Sequence, residues 1–132
     1  MNKHRIVHHS VLGDLPNHEE ICFTFNEKKY IGYEGDTIAS ALMANGIRKL
    51  RVHEESGTPR GIYCNIGHCF ECRVSVDGKS GIRACLTLLQ GDMVIESGEQ
   101  LDAPFKSKSV AKQLPRTYSE FKKQTKKERQ MI

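Results

Sequence analysis

The sequence predicts a small α+β domain, and three observations support this fold class. Segments in which apolar and polar residues alternate, as in β-strands with one buried face, lie on both sides of a segment with amphipathic-helix spacing. Turn-forming pairs such as Asn45-Gly46 and Asp77-Gly78 separate these segments. The chain has 132 residues and an apolar fraction of 38%, so it is long enough for one domain with a small core.

The first predicted elements are an N-terminal arm and a β-hairpin. Residues 1–18 have no clear periodicity and are predicted to be an arm on the surface of the domain. In residues 21–25 three large apolar side chains alternate with Cys22 and Thr24, which predicts a strand, and residues 30–33 resume the extended pattern after a polar turn. Cys22 falls on the face opposite the apolar residues, and we interpret it as a structural cysteine.

One helix is predicted within residues 35–46. Asp36 or Thr37 can accept hydrogen bonds from its free N–H groups, and the Asn45-Gly46 pair is a C-terminal stop signal. Three residues with helical spacing are predicted to face the core: Ile38, Ala41 and Leu42.

The second half of the domain is predicted to be mostly β-structure. Residues 47–57 are charged and are interpreted as a strand remnant and a loop. Residues 73–76 form a short strand, and Asp77-Gly78 is a hairpin turn whose return strand leads to Cys85. Residues 93–95 are predicted to be a last strand. Three leucines after Cys85 are predicted to be buried: Leu86, Leu88 and Leu89.

Four cysteines with the spacing C-x4-C-x2-C-x12-C lie within 22 positions: Cys64, Cys69, Cys72 and Cys85. This is the pattern of plant-type [2Fe–2S] sites, in which one loop supplies three thiolates and a separate segment supplies the fourth. Gly67 lies between the first two cysteines, where a side chain would hinder the inward turn of the loop N–H groups. The sequence therefore predicts a [2Fe–2S] cluster bound by these four cysteines.

Three other uses of the cysteines stay open at this point, of which unrelated free thiols are the least expected, given four cysteines within 22 positions. Structural zinc also takes four thiolates, but usually from two separated C-x2–4-C pairs. Disulfides need an oxidising compartment, and no N-terminal apolar segment resembles a secretory signal. The iron–sulfur interpretation fits the spacing better. On the basis of this cysteine spacing, residues 19–103 are predicted to form a β-grasp domain of the plant-type ferredoxin kind.

The charge is divided unevenly along the chain. The net charge is +4, with −3 in residues 1–105 and +7 in residues 106–132. A mildly acidic body with a basic tail does not indicate a nucleic-acid-binding protein. Residues 104–132 are predicted to be a basic, partly helical tail that is either solvated or docked on a partner. Thr117 and Glu120 have capping-box spacing for its helix, which would present Tyr118, Phe121 and Thr125 on one side.

Several stretches of the chain together resemble a known family: residues 9–13, 33–39, 41–48, 59–64, 66–72, 76–78 and 83–85. Residues 5–97 thus resemble the small [2Fe–2S] subunits of bacterial flavin-dependent amine and amino-acid dehydrogenases. These include small subunits of D-hydroxyproline dehydrogenase, opine oxidases and hydrogen cyanide synthase, and are similar to the N-terminal region of sarcosine oxidase alpha subunits. Directly after Cys69 this chain has Phe70, whereas the iron–sulfur subunits of succinate dehydrogenases and the molybdenum hydroxylases usually have glycine after the second loop cysteine. Asn65 and His68 depart from the family pattern without removing a ligand.

The resemblance implies a one-electron transfer subunit in a hetero-oligomer. It would relay electrons from FAD or FMN on a partner subunit that oxidises a proline-, hydroxyproline- or opine-like substrate at a C–N bond. A free-standing plant-type ferredoxin is the alternative, although such ferredoxins are generally strongly acidic. Arg73 and Arg83 lie close to ligands in sequence, and if they face the cluster they would raise its potential above the ~−400 mV of plant-type ferredoxins.

The sequence contains no catalytic constellation of its own. Gly-x-Gly-x-x-Gly never occurs, and neither does a Ser-His-Asp order, so neither flavin binding nor catalysis is predicted for this chain. No apolar stretch reaches the roughly 18 residues of a membrane span. Five cysteines without an export signal indicate a cytoplasmic chain. We expect catalysis only in a complex with a flavoprotein subunit.

Overall fold

The computed structural model describes residues 4–98, 117–120, 122–123 and 126. The chain divides into two units, Met1–Leu101 and Asp102–Ile132, while the predicted boundaries at residues 18 and 103 stay predictions. The described elements of the first unit are, in order, β1 (His8–His9), β2 (Gly13–Asp14), β3 (Glu20–Phe25), β4 (Lys28–Tyr33), α1 (Ile38–Ala44), β5 (Arg51–Val52), β6 (Pro59–Arg60), β7 (Arg73–Val76), β8 (Lys79–Arg83) and β9 (Val94–Ser97).

A five-stranded mixed sheet with the order β4-β3-β9-β7-β8 forms the centre of the first unit. Two antiparallel hairpins, β3–β4 and β7–β8, are joined by β9, which runs parallel to β3 and antiparallel to β7. The turns of both hairpins have two residues with positive φ, Asn26-Glu27 and Asp77-Gly78, which matches the right-handed twist of the strands. Both predicted hairpins are therefore confirmed.

The helix α1 supplies much of the core. Ile38, Ala41 and Leu42 are each 0% exposed, which confirms the predicted buried face. They pack in one cluster with Phe23 and Ile95 of the sheet. Burial of a large apolar side chain of this kind contributes roughly 1.5–3 kcal/mol. The core therefore joins the helix to both halves of the sheet.

The ends of α1 are as predicted. The Thr37 hydroxyl accepts a hydrogen bond from the Ser40 N–H at 3.1 Å, so Thr37 is the N-cap. Asn45 is the C-cap, and Gly46 follows it with a φ of +80°, a conformation that glycine adopts without strain. Cys22 lies on the other face of β3 from the buried Phe23 and is exposed.

The predicted burial of the three leucines after Cys85 is wrong for two of them. Leu89 is 4% exposed, but Leu86 is 55% and Leu88 is 58% exposed. Residues 84–89 do not form a strand of the sheet. They are hydrogen-bonded to the start of α1: the Ile38 N–H donates to the Thr87 carbonyl, and the Leu89 N–H donates to the Asp36 carbonyl. This path turns only Leu89 into the core.

The N-terminal arm is attached to the domain by charged and aromatic contacts. The Arg5 guanidinium donates two hydrogen bonds to the Asp36 carboxylate and lies 4.3 Å from the centre of the Tyr33 ring. The His4 N–H also donates to the Ala44 carbonyl at 3.3 Å. The beginning of the arm is thus docked on the two ends of α1, while its β1–β2 hairpin is exposed.

The described residues of the second unit show the predicted capping box. The Thr117 N–H donates to the Glu120 carboxylate, and the Glu120 N–H donates to the Thr117 hydroxyl, each at 3.3 Å. Residues 118–120, 122–123 and 126 are helical. Phe121 and Thr125, predicted to share a face with Tyr118, lie outside the described residues. No helix in the described ranges is long and apolar enough to cross a membrane.

The Arg5–Asp36 contact should be a measurable source of stability. Burial alone would raise the pKa of Asp36, but hydrogen bonds from Arg5 and from the Tyr33 N–H outweigh burial and lower that pKa. We expect Asp36→Asn to lower the free energy of unfolding by roughly 2–3 kcal/mol in urea titrations near pH 7.

Because the native pKa of Asp36 is lowered, the difference in unfolding free energy between the wild type and Asp36→Asn should be fully present above the unfolded-state pKa of about 3.9. This difference should disappear as the pH falls through the native pKa of Asp36. Asp14→Asn is the matched control, since Asp14 pairs with His8 at the exposed surface and should change stability by less than about 1 kcal/mol. Equal losses in the two variants would contradict the assigned role.

Candidate metal centre

The structure places the four predicted ligands in two pairs. Cys64 and Cys69 are half-buried in the loop after β6, and the Cys69 N–H donates to the Cys64 Sγ at 3.4 Å. Cys72 and Cys85 are 3% and 5% exposed, and the Cys85 N–H donates to the Cys72 Sγ at 3.4 Å. One pair is thus near the surface and the other lies at the edge of the core.

Backbone N–H groups of the loop point at the cysteine sulfurs. Those of Ile66, His68 and Cys69 lie 3.3–3.4 Å from the Cys64 Sγ. The Glu71 N–H approaches the Cys69 Sγ and the Cys85 N–H approaches the Cys72 Sγ, each at 3.4 Å. Such donors stabilise anionic sulfur, as a thiolate bound to iron requires.

The two pairs differ in their electrostatic environment. The N–H groups of Ile66 and Cys69 lower the pKa of the Cys64 thiol to about 6. Burial raises the pKa of the Cys72 thiol. The half-buried Cys64 is therefore prepared for a negative charge, whereas the buried Cys72 gains from a metal that replaces its proton.

The inward turn of the loop requires unusual backbone conformations. Asn65, Gly67 and Phe70 have φ values of +55°, +77° and +64°. A Cβ atom on Gly67 would lie 2.1 Å from the Leu86 side chain, which confirms that a side chain would obstruct the loop at this position. At the loop entry, a Cβ atom on Gly61 would lie 2.2 Å from the Arg48 carbonyl oxygen.

The fourth cysteine reaches the loop through the β7–β8 hairpin. The two strands place Arg73 opposite Arg83, and beyond them the Ala84 N–H donates to the Cys72 carbonyl at 3.1 Å. The Ala39 N–H at the start of α1 donates to the Ala84 carbonyl at 2.9 Å and anchors the residue before Cys85. The predicted role of the Asp77-Gly78 turn, the return of Cys85 to the loop, is confirmed.

A group of buried and half-buried charges behind the loop was not predicted. Arg51 is 5% exposed, and it pairs with Glu54 and Glu71. Arg73 also pairs with Glu54, so its charge is directed at this carboxylate. The partners of Arg51 and Arg73 include residues about 20 positions away in sequence, and no local pattern signals such a contact.

Arg83 occupies a different position from Arg73. Its guanidinium lies 4.1 Å from the centre of the Phe70 ring, on the link between Cys69 and Cys72. Among the described residues it has no carboxylate within salt-bridge distance, and its Nε is buried without a hydrogen-bond acceptor. Within the described ranges Arg83 therefore keeps a positive charge beside the loop without a carboxylate partner.

The donor set fits a two-iron cluster. Two irons bridged by sulfides need two thiolates each, and the structure supplies two pairs of thiols with N–H groups directed at three of the four sulfurs. In the part of the chain that the structure describes, no group of three or more His, Cys, Asp or Glu side chains forms a site for a metal ion.

The comparison with protein families decides the identity of the domain. Residues 18–100 match the family described as the 2Fe-2S iron-sulfur cluster binding domain. The chain belongs to this family. The predicted cofactor, a [2Fe–2S] cluster, is confirmed, and the mixed sheet with one described helix fits a ferredoxin-like fold.

Curated relatives and solved structures are similar to parts of the chain, among them two hydrogen cyanide synthase subunits and an L-proline dehydrogenase. The hydrogen cyanide synthase subunit HcnA of Pseudomonas protegens is 30% identical over 80 residues, 61% of this chain and 75% of that subunit. HcnA of Pseudomonas aeruginosa is 35% identical over 63 residues, 48% of this chain and 60% of that subunit.

The crystal structure of L-proline dehydrogenase from P. horikoshii matches with a TM-score of 0.53 and 27% identity over 61% of this chain. The match covers only 16% of that dehydrogenase chain. The inferred resemblance to [2Fe–2S] subunits of dehydrogenases, hydrogen cyanide synthase among them, is confirmed.

The ligand set can be tested by single substitutions. Each of four alanine variants should lose the visible absorption of the cluster and its paramagnetic signal after one-electron reduction, because one iron would lack a thiolate: Cys64→Ala, Cys69→Ala, Cys72→Ala and Cys85→Ala. Cys22→Ala is the matched control, since Cys22 is exposed on β3, and it should keep both signals. A cluster retained with a full signal in any of the four variants would exclude that cysteine as a ligand.

Proposed function

We propose that this chain is a one-electron transfer subunit whose [2Fe–2S] cluster is bound by Cys64, Cys69, Cys72 and Cys85. The observation that carries the proposal is the pairing of the four cysteines, Cys64 with Cys69 and Cys72 with Cys85, in a domain of the 2Fe-2S family. Cys64 and Cys69 would bind one iron, and Cys72 and Cys85 the other. The fold proposed with this ligand set is the plant-type β-grasp.

The surroundings of the loop suit electron exchange with a second protein. When bound, the cluster accepts and releases one electron at a time. The loop residues orient its ligands, and the buried Cys72 and Cys85 exclude water from one side. Near Cys64 and Cys69 the apolar side chains of Tyr63 and Ile66 are 84% and 73% exposed, which supports a contact with a partner subunit on this side.

We infer that the partner is a flavoprotein dehydrogenase that acts on a C–N bond. Both curated relatives are named as subunits of hydrogen cyanide synthase, and the similar solved structure is an L-proline dehydrogenase. The substrate proposed is an amine or amino acid of the proline, hydroxyproline or opine kind. FAD or FMN would be bound by the partner, and the complex would be cytoplasmic.

The electrostatics of the loop bear on the redox potential. Reduction adds one negative charge to the cluster and its four thiolates, so a nearby positive charge stabilises the reduced form. Arg83 contacts Phe70 within the loop and has no carboxylate partner among the residues that the structure describes, whereas Arg73 is paired with Glu54. The proposed rise in potential is therefore assigned to Arg83.

This assignment predicts a midpoint potential above the ~−400 mV of plant-type ferredoxins in a redox titration followed by electron paramagnetic resonance. Arg83→Gln should shift the potential to more negative values. Lys79→Gln removes the same charge at the exposed, distant end of β8 and should leave it nearly unchanged. A potential at or below the plant-type range, or equal shifts in the two variants, would contradict the role of Arg83.

The proposed partner can be identified by purification of the tagged chain from its native cell, with subunit identification and flavin analysis. A flavoprotein should co-purify in fixed stoichiometry, and the complex should reduce the cluster on addition of an amine or amino acid. The chain alone should not oxidise these substrates. Recovery as a stable monomer from cells that also express its neighbouring genes would favour a free-standing ferredoxin instead.

A further inference from the structure

The buried guanidinium of Arg51 has a set of partners that the metal centre alone does not explain. Arg51 is 5% exposed, and a buried charge is costly unless nearby groups compensate it. Its Nη1 atom donates to the Val52 carbonyl at 3.2 Å and to Glu54 at 3.4 Å. The other edge of the guanidinium is directed at the cysteine loop.

That edge binds a single residue of the loop at two points. The Arg51 Nε donates to the Glu71 main-chain carbonyl at 2.9 Å, and Nη2 donates to the Glu71 carboxylate at 3.1 Å. The planar fork of arginine is suited to such a two-point contact, because its donors are fixed relative to one another. Both the backbone and the side chain of Glu71 are thereby fixed.

Glu71 lies in the two-residue link between the pairs of thiols. Cys69 belongs to the half-buried pair and Cys72 to the buried pair, and only Phe70 and Glu71 separate them. The Glu71 N–H is directed at the Cys69 Sγ, while the Glu71 carbonyl, in the peptide bond to Cys72, accepts from Arg51. The position of this link therefore sets the position of one pair relative to the other.

The link needs an external restraint because its backbone is not in a preferred conformation. Phe70 has a φ of +64°, a region that non-glycine residues adopt only when the surrounding structure favours it. A contact from outside the loop has to favour this conformation. Arg51 lies in β5, about 20 residues earlier in the chain, and it makes hydrogen bonds to Glu71, the residue that follows Phe70.

We propose that Arg51 is a positioning residue for the metal centre: its two-point contact with Glu71 fixes the spacing between the Cys64–Cys69 and Cys72–Cys85 pairs. The role rests on the ligand set proposed above. Arg51 does not contact a ligand sulfur in the structure, so it acts through the backbone of the loop. Its contact with Glu54, which also pairs with Arg73, compensates the buried charge.

The test compares Arg51→Lys with Arg60→Lys in the full-length holoprotein. Lysine keeps the positive charge but lacks the fork that reaches both the main-chain carbonyl and the carboxylate of Glu71. Arg60 is the matched control, because it lies opposite Arg51 in the β5–β6 pair, is 43% exposed and approaches the Glu71 carboxylate only to 4.0 Å. Two quantities are measured: the rate of iron release to a chelator, and the g values of the reduced cluster.

Arg51→Lys should release iron roughly 10-fold faster than the wild type, the lower end of the effect of outer-shell substitutions at metal sites. Its g values should also change, because the arrangement of the ligands around the irons changes. Arg60→Lys should match the wild type in both measurements. Wild-type values in Arg51→Lys would overturn the proposal, and so would equal changes in the two variants, which would indicate a general charge effect.

If Arg51→Lys does not fold, as judged by far-ultraviolet circular dichroism, Glu71→Gln decides the question. It keeps the carbonyl contact and weakens the carboxylate contact, so a smaller change in the same direction is expected, while Glu55→Gln on the exposed loop should have none. Wild-type release and g values in Glu71→Gln would overturn the proposal. A wrong ligand set would be recognised separately, because clusters would then persist in the cysteine variants.

Discussion

Two backbone hydrogen bonds at the start of α1 fix the geometry on which the metal centre depends. The Ile38 N–H donates to the Thr87 carbonyl and the Ala39 N–H to the Ala84 carbonyl, each at 2.9 Å. They satisfy two donors that every helix leaves free in its first turn, and they anchor the chain on both sides of Cys85. Because the other three proposed ligands lie in one loop, this anchoring decides whether the Cys85 thiol meets Cys72.

Most of the charged side chains behind the loop are paired with a side chain of opposite charge. Backbone N–H groups directed at Cys64 and Cys69 favour anionic sulfur through dipoles. Behind the loop the buried Arg51 pairs with Glu54 and Glu71, Arg73 pairs with Glu54, and Arg60 approaches Glu71 to 4.0 Å. Arg83 is different, because it stacks on Phe70 without a carboxylate partner in the described residues. Redox tuning and the positioning of the loop are therefore proposed to depend on different arginines.

The elements of the fold that could be predicted depend on neighbours in sequence. The Asp77-Gly78 turn and the Thr37 cap are local devices, and both occur where they were expected. Leu86 and Leu88 were assigned to the core because they are apolar, yet they are exposed, since the hydrogen bonds to α1 orient this segment. The Arg51–Glu71 contact could not be predicted, because no short-range pattern joins residues of two separate segments.

The sequence by itself determined the cofactor, its four candidate ligands and the succession of strands around one helix. A cysteine spacing and a hydrophobic period are properties of the chain, and they specify chemistry and local geometry before folding is complete. The tertiary structure alone decided how the cysteines are paired, which arginine stacks on Phe70 in the loop and which is buried against Glu71. These outcomes depend on contacts between distant segments, which exist only once the sheet, the helix and the loop have packed together.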